Sequence, residues 1–165
     1  MERTELLLER LEAIGRSLAE RDGAVALIGL GSVGRDTFRV DAYSDLDFYA
    51  IVTPESQARF LSDVDWLVAA APLAFVHRAS DVGVHVLFAD GVYAEMAVLT
   101  PGQMESAWDE PGRVVWKQEG VGDAIAIPRV PPPTPPARTV DWLLAQVLCN
   151  LYVGLSRFRR GEKLA

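Results

Sequence analysis

Gly31-Ser32, a spacer of twelve residues and then Asp45-Leu46-Asp47-Phe48 form the grouping in this chain best suited to chemistry. A short apolar strand from Ala24 to Leu30 leads into the Gly-Ser. A second apolar run, Leu46 to Val52, has the two aspartates at its start. Successive strand side chains point to opposite faces, so Asp45 and Asp47 share one face and Leu46 and Phe48 the other. Two carboxylates about 6–7 Å apart along a strand suit a divalent cation. A Gly-Ser turn opening a short helix suits the phosphate that such a cation accompanies, because glycine admits close backbone approach while the hydroxyl and nearby N–H groups donate. Each piece alone is ordinary: Asp-x-Asp commonly begins an exposed strand, and Gly-Ser is a common strand-to-helix turn with a serine cap. The spacing and the flanking strands join them.

This pattern resembles the nucleotidyltransferases of the DNA polymerase beta-like superfamily, whose signature is Gly-Ser, a spacer, and Asp-x-Asp or Asp-x-Glu. The likeness runs from the first strand, beginning at Ala24, to Leu99. It implies Mg²⁺ held by Asp45, Asp47 and a third acid on a neighbouring strand. It also implies transfer of a nucleoside monophosphate from an NTP, with ATP the expected donor, to a hydroxyl, releasing pyrophosphate. Gly31 and Ser32 would bind the nucleotide. Glu95 is the expected third acid, since it lies in an otherwise apolar run where an unpaired carboxylate is costly. It would ligate the metal, act as general base on the acceptor, or do both. Asp90 competes for this role, but Asp90-Gly91 is better used as a hairpin turn. Three acids close together raise one another's pKa unless a cation intervenes.

The acceptor implied is a small molecule of aminoglycoside or lincosamide type, and Glu162 is a residue to test for acceptor contact. Arg35 and Lys117 are open between triphosphate contact and a solvated surface role. Tyr43 and Tyr49 adjoin the acidic strand and could stack on a base. His77 and His85 have no zinc-type spacing and are read as packed or surface residues. Two other functions stay open. One is a minimal antitoxin-type nucleotidyltransferase module acting on a protein partner, and the other is an inactive truncated remnant.

Half the residues are hydrophobic and 24% charged, the profile of a folded, soluble chain of one domain or slightly more. The net charge of −7 and a pI near 4.8 argue against a nucleic-acid partner, which demands a basic surface. No apolar run approaches the ~20 residues needed to cross a bilayer, so no membrane role is expected. The lone Cys149 excludes an internal disulfide, and a cytoplasmic setting is the default. A homodimer is left open.

The elements that must position these residues are legible as periodicities. Leu7, Leu8, Leu11, Ile14 and Leu18 predict a helix over 4–21, and a second helix is predicted over 54–70. Apolar runs at 82–88 and 92–98 flank Asp90-Gly91 as a hairpin, with 73–77 and 113–118 as further edge strands. The expected class is α/β (α+β): a mixed sheet flanked by helices over residues 1–127. Six of the ten prolines then fall between Pro128 and Pro136, predicting an extended linker over 128–138. Residues 139–165 read as a helix capped by Thr139, which either folds back on the sheet or opens a helical domain.

Overall fold

A computed structural model describes residues 2–107, 112–129 and 138–161. The predicted linker falls almost wholly outside the described residues, as do Trp108 and Glu162.

Helix α1 (Arg3–Ala19) buries Leu7, Leu11, Ile14 and Leu18 completely, as its periodicity requires. Strand β1 (Ala24–Leu30) follows, then a single 3₁₀ turn at Gly31–Val33, a second at Thr37–Arg39, and strand β2 (Leu46–Val52). The short helix expected after Gly-Ser is therefore only one turn. The segment 54–70 is not one helix either. It divides into α2 (Gln57–Ser62) and α3 (Asp65–Val68), because the Asp63 carboxylate accepts from the Asp65 N–H at 2.9 Å and Asp63 itself adopts extended backbone. A side chain that satisfies backbone locally competes with helix continuation. Strands β3 (Leu73–Arg78), β4 (Gly83–Phe88) and β5 (Tyr93–Leu99) come next, then α4 (Pro101–Met104), β6 (Arg113–Lys117) and α5 (Val140–Arg159).

Among the described residues the fold is α+β, with one six-stranded mixed sheet ordered β3-β4-β5-β2-β1-β6. Only β2 and β5 are parallel neighbours; the other adjacent pairs are antiparallel. The predicted edge strands are indeed the two edges. Asp90 and Gly91 form the β4–β5 turn, with Gly91 at φ +81°. Asp90 also pairs with the buried Arg10 of α1 at 2.5 Å, and that hydrogen bond holds its carboxyl below the usual range. It is spent on the hairpin and on α1, as the turn chemistry suggested.

Helices α1, α2 and α3 cover one face of the sheet. There Phe48 meets Trp66 edge-on with centroids 6.4 Å apart, and Phe60 meets it at 6.1 Å. Each such large side chain taken out of water contributes about 1.5–3 kcal/mol. Phe48 and Leu46 are anchored in this core, so their odd-numbered neighbours must face the other way. That opposite face is closed at one end by α4 and the 3₁₀ turn Asp123–Ala126, around Ala26, Ile28 and Ile51. Over the other end lies α5. No helix among the described residues is long and apolar enough to cross a membrane.

Candidate active site

Four adjacent strands place one polar residue each in a single row. Asp47 of β2 is the register partner of Glu95 on β5, Glu95 pairs with His85 on β4, and His85 pairs with His77 on β3. Register partners point to the same face, and neighbouring strands lie about 4.8 Å apart. Asp45, two residues before Asp47, stands on this face just ahead of β2. All three acids are half-buried.

The Gly-Ser turn meets the row from the other side. Leu30 is the register partner of Asp47, so Gly31 emerges beside that carboxylate. Gly31 has φ +51°, and a Cβ there would lie 3.1 Å from Asp47 Oδ2. The position is thus reserved for glycine twice over, by backbone conformation and by the carboxylate. We expect Gly31→Ala to lower stability by about 1–2 kcal/mol from the left-handed backbone alone. Thermal unfolding checks this, and a variant as stable as the wild type would overturn it. Gly34 N–H closes the turn on Gly31 O at 3.1 Å, with the half-buried Ser32 between them. Two arginines pin the turn to the β6 side: Arg113 Nε donates to Val33 O at 3.2 Å and Arg35 Nε to Gly112 O at 3.2 Å. Arg35 is therefore a brace for the turn. Lys117 pairs with Asp123 at 2.7 Å.

The electrostatics are those of acids short of positive charge. Burial, with Asp45 and Glu95 adding repulsion, pushes the Asp47 carboxyl up to about 8. Burial and then Glu95 push Asp45 up, and burial raises Glu95. Arg157 of α5 is the cation that acts on all three and offsets part of the cost, and Arg160 helps at Asp45. Arg160 Nε also pairs with Asp41 at 2.9 Å. Asp41 in turn accepts from Tyr43 N–H and from the buried Ser44 hydroxyl, setting the loop that delivers Asp45.

Glu95 is oriented by its neighbours. The Tyr93 hydroxyl donates to Glu95 Oε1 at 3.1 Å and lies 3.0 Å from His85 Nδ1. Burial drives the Tyr93 pKa far up, so it remains a donor. The Tyr93 hydroxyl thus links Glu95 to His85, whose Nε2 lies 4.0 Å from Glu95 Oε2. Burial, then His77, lowers His85 to about 4 and keeps it neutral.

Beside Asp45 a cleft of about 180 Å³ runs between the sheet and α5, lined by Tyr43, Ser44, Tyr93, Tyr152, Ser156 and Arg159. A larger groove along α1, about 670 Å³, is lined by Glu9, Glu12 and Arg16 and lies away from the acidic row.

The residues singled out by sequence, Gly31, Ser32, Asp45, Asp47 and Glu95, thus come together at one end of one face. The three carboxylates do not yet converge on a point: among the described residues no trio of His, Cys, Asp or Glu is placed to hold an ion as it stands. The strand register sets Asp47 against Glu95, and Asp45 stands two residues ahead of Asp47 on the same face. Sequence reasoning missed His85, Tyr93 and the arginines of α5. His85 was legible only through its register with Glu95, and Arg157 only through the return of α5, which no local signal gives. No protein-family profile matches the chain, and no curated protein is similar to it in sequence.

Proposed function

We propose that this chain is a nucleotidyltransferase domain of the DNA polymerase beta-like kind, moving a nucleoside monophosphate from an NTP to the hydroxyl of a small acceptor. The observation that carries the reading is the pairing of Asp47 with Glu95, with Asp45 on the same face and Gly31 against the Asp47 carboxylate. The donor set suits Mg²⁺ in kind, being hard carboxylate oxygens whose raised pKa values reflect burial and unbalanced negative charge. Asp45, Asp47 and Glu95 would hold the ion, which when bound neutralises the triphosphate and acidifies the attacking hydroxyl.

The chain's own groups have separate tasks. The Gly31–Val33 turn offers backbone N–H groups and the Ser32 hydroxyl to phosphate oxygens. Arg157 adds a positive charge beside the acids. Glu95, held by the Tyr93 hydroxyl, takes the proton as the acceptor oxygen attacks the α-phosphorus and pyrophosphate leaves in line. The cleft beside Asp45 has room for one sugar-sized ring, and its tyrosines could stack on it. An aminoglycoside or lincosamide is the acceptor class to try first.

Thermal shift with each NTP is the direct test. Mg²⁺ with the preferred NTP should raise Tm by several degrees, and NTP with chelator should do much less. Pyrophosphate release over an acceptor panel then reports turnover. A folded sample that responds to no NTP would overturn the reading.

A further inference from the structure

Helix α5 presents a second surface, which the proposed chemistry does not use. Its inner side faces the sheet: Cys149 is buried, the Trp142 indole N–H donates to Ala79 O, and the Tyr152 hydroxyl donates to Gly91 O at 3.0 Å. Its outer side carries eight large apolar side chains between Val140 and Phe158, each 50–71% exposed. Leu144, Val147, Leu148, Leu151 and Leu155 form its middle. They recur at three- and four-residue steps, so they make one continuous stripe along the helix. A continuous apolar stripe of this length is more than a monomer ordinarily leaves exposed, and such patches mark interaction surfaces.

We infer that this stripe is the contact of a homodimer, in which α5 packs antiparallel on α5 of a second copy about a two-fold axis near Leu148. Charge supports the self-pairing and its direction. From Trp142 to Ser156 the helix has no charged residue, with Asp141 before this stretch and Arg157 and Arg159 after it. Antiparallel pairing sets the acidic end of one helix beside the basic end of the other and opposes the two macrodipoles; parallel pairing sets like against like. Arg138 does not disturb this, because it stacks over the inward-facing Trp142 at 4.8 Å. The inner contact also gains from an outer cover. Among the described residues His77 Nε2 and Gln146 Oε1 are enclosed without a hydrogen-bond partner, a cost that weakens the hold of α5 on the sheet. A two-fold contact over the stripe would clamp α5, and with it Arg157, above the acidic row.

Light scattering on the eluting full chain, at tens of micromolar protein, tests this. The expected mass is twice 18.0 kDa. Leu148→Glu combined with Leu151→Glu should give a monomer with an unchanged circular dichroism spectrum, since both side chains point outward. Asp141→Arg should weaken the dimer at least tenfold, and adding Arg159→Asp should restore it, because the pair is exchanged rather than removed. A monomeric wild type would overturn the inference. A dimer that survives the two glutamates, or association beyond two copies, would overturn it equally, since a two-fold contact on this helix closes at two.

Discussion

Asp47→Asn should abolish nucleotidyl transfer, with a fall of at least about a thousandfold in kcat, while making the metal-free protein more stable at pH 8. The two effects have one cause. Asp47 sits among Asp45 and Glu95 at a buried position, and its carboxyl is pushed up to about 8, so ionising it in the folded state is costly. Asparagine keeps the shape and removes the charge. It therefore relieves repulsion in the metal-free chain, and under the proposed function it removes a ligand of the metal, a loss of several kcal/mol of transition-state stabilisation. Asp45→Asn should be as damaging to turnover. Activity by pyrophosphate release and Tm in the presence of chelator are the two readouts. Near-normal turnover would remove Asp47 from the machinery. A lower Tm would show that its carboxylate is satisfied in some other way than by a bound cation.

Much of this site was legible because its signals are local. Gly31 next to a strand end and Asp47 two residues into the next strand are set by sequence spacing, and a single antiparallel pairing brings them together. Glu95 was legible for a different reason: a lone carboxylate in an apolar run has to be accounted for. The residues that tune it were not, because the turn signal announces the hairpin without fixing the register that decides which β4 side chain faces Glu95. His85 reads as a packed or surface residue until the β4–β5 register sets it opposite Glu95, and Tyr93 reaches the same carboxylate from two residues earlier on its own strand. Basic residues at a helix C-terminus need nothing beyond the helix dipole to account for them in sequence. Arg157 and Arg160 acquire other partners only because the helix doubles back across the sheet face. The helix expected over 54–70 failed on one residue, Asp63, whose side chain outcompetes the apolar period on either side of it.

Stability in chelator should fall more steeply between pH 6.5 and 8 than between pH 4 and 6.5, and Mg²⁺ should abolish the steeper fall. The sign follows from which state binds the extra proton. Asp47 has a usual value of 3.8 when unfolded and about 8 when folded, so between these the folded state holds a proton that the unfolded chain has lost, and stability declines as pH rises. Asp45 and Glu95 are shifted in the same direction. His85 acts oppositely at lower pH. Its value drops from 6.5 to about 4 on folding, so between those limits the unfolded chain holds the extra proton and stability rises with pH. His77, also lowered by burial, adds to this. The opposing slopes partly offset one another up to about pH 6.5. Above it the unfolded chain progressively loses its histidine protons, so the slope set by the acids prevails. The depressed Asp90 contributes below pH 4 alone, outside the window. A cation that binds the ionised acids removes their cost, so the gain in Tm on adding Mg²⁺ should be small at pH 5.5 and several degrees at pH 8. Thermal unfolding across this range, with Asp47→Asn as control, decides it. The variant should show a flatter profile from pH 6.5 to 8, and an equally steep one would mean that the fall originates outside the acidic row.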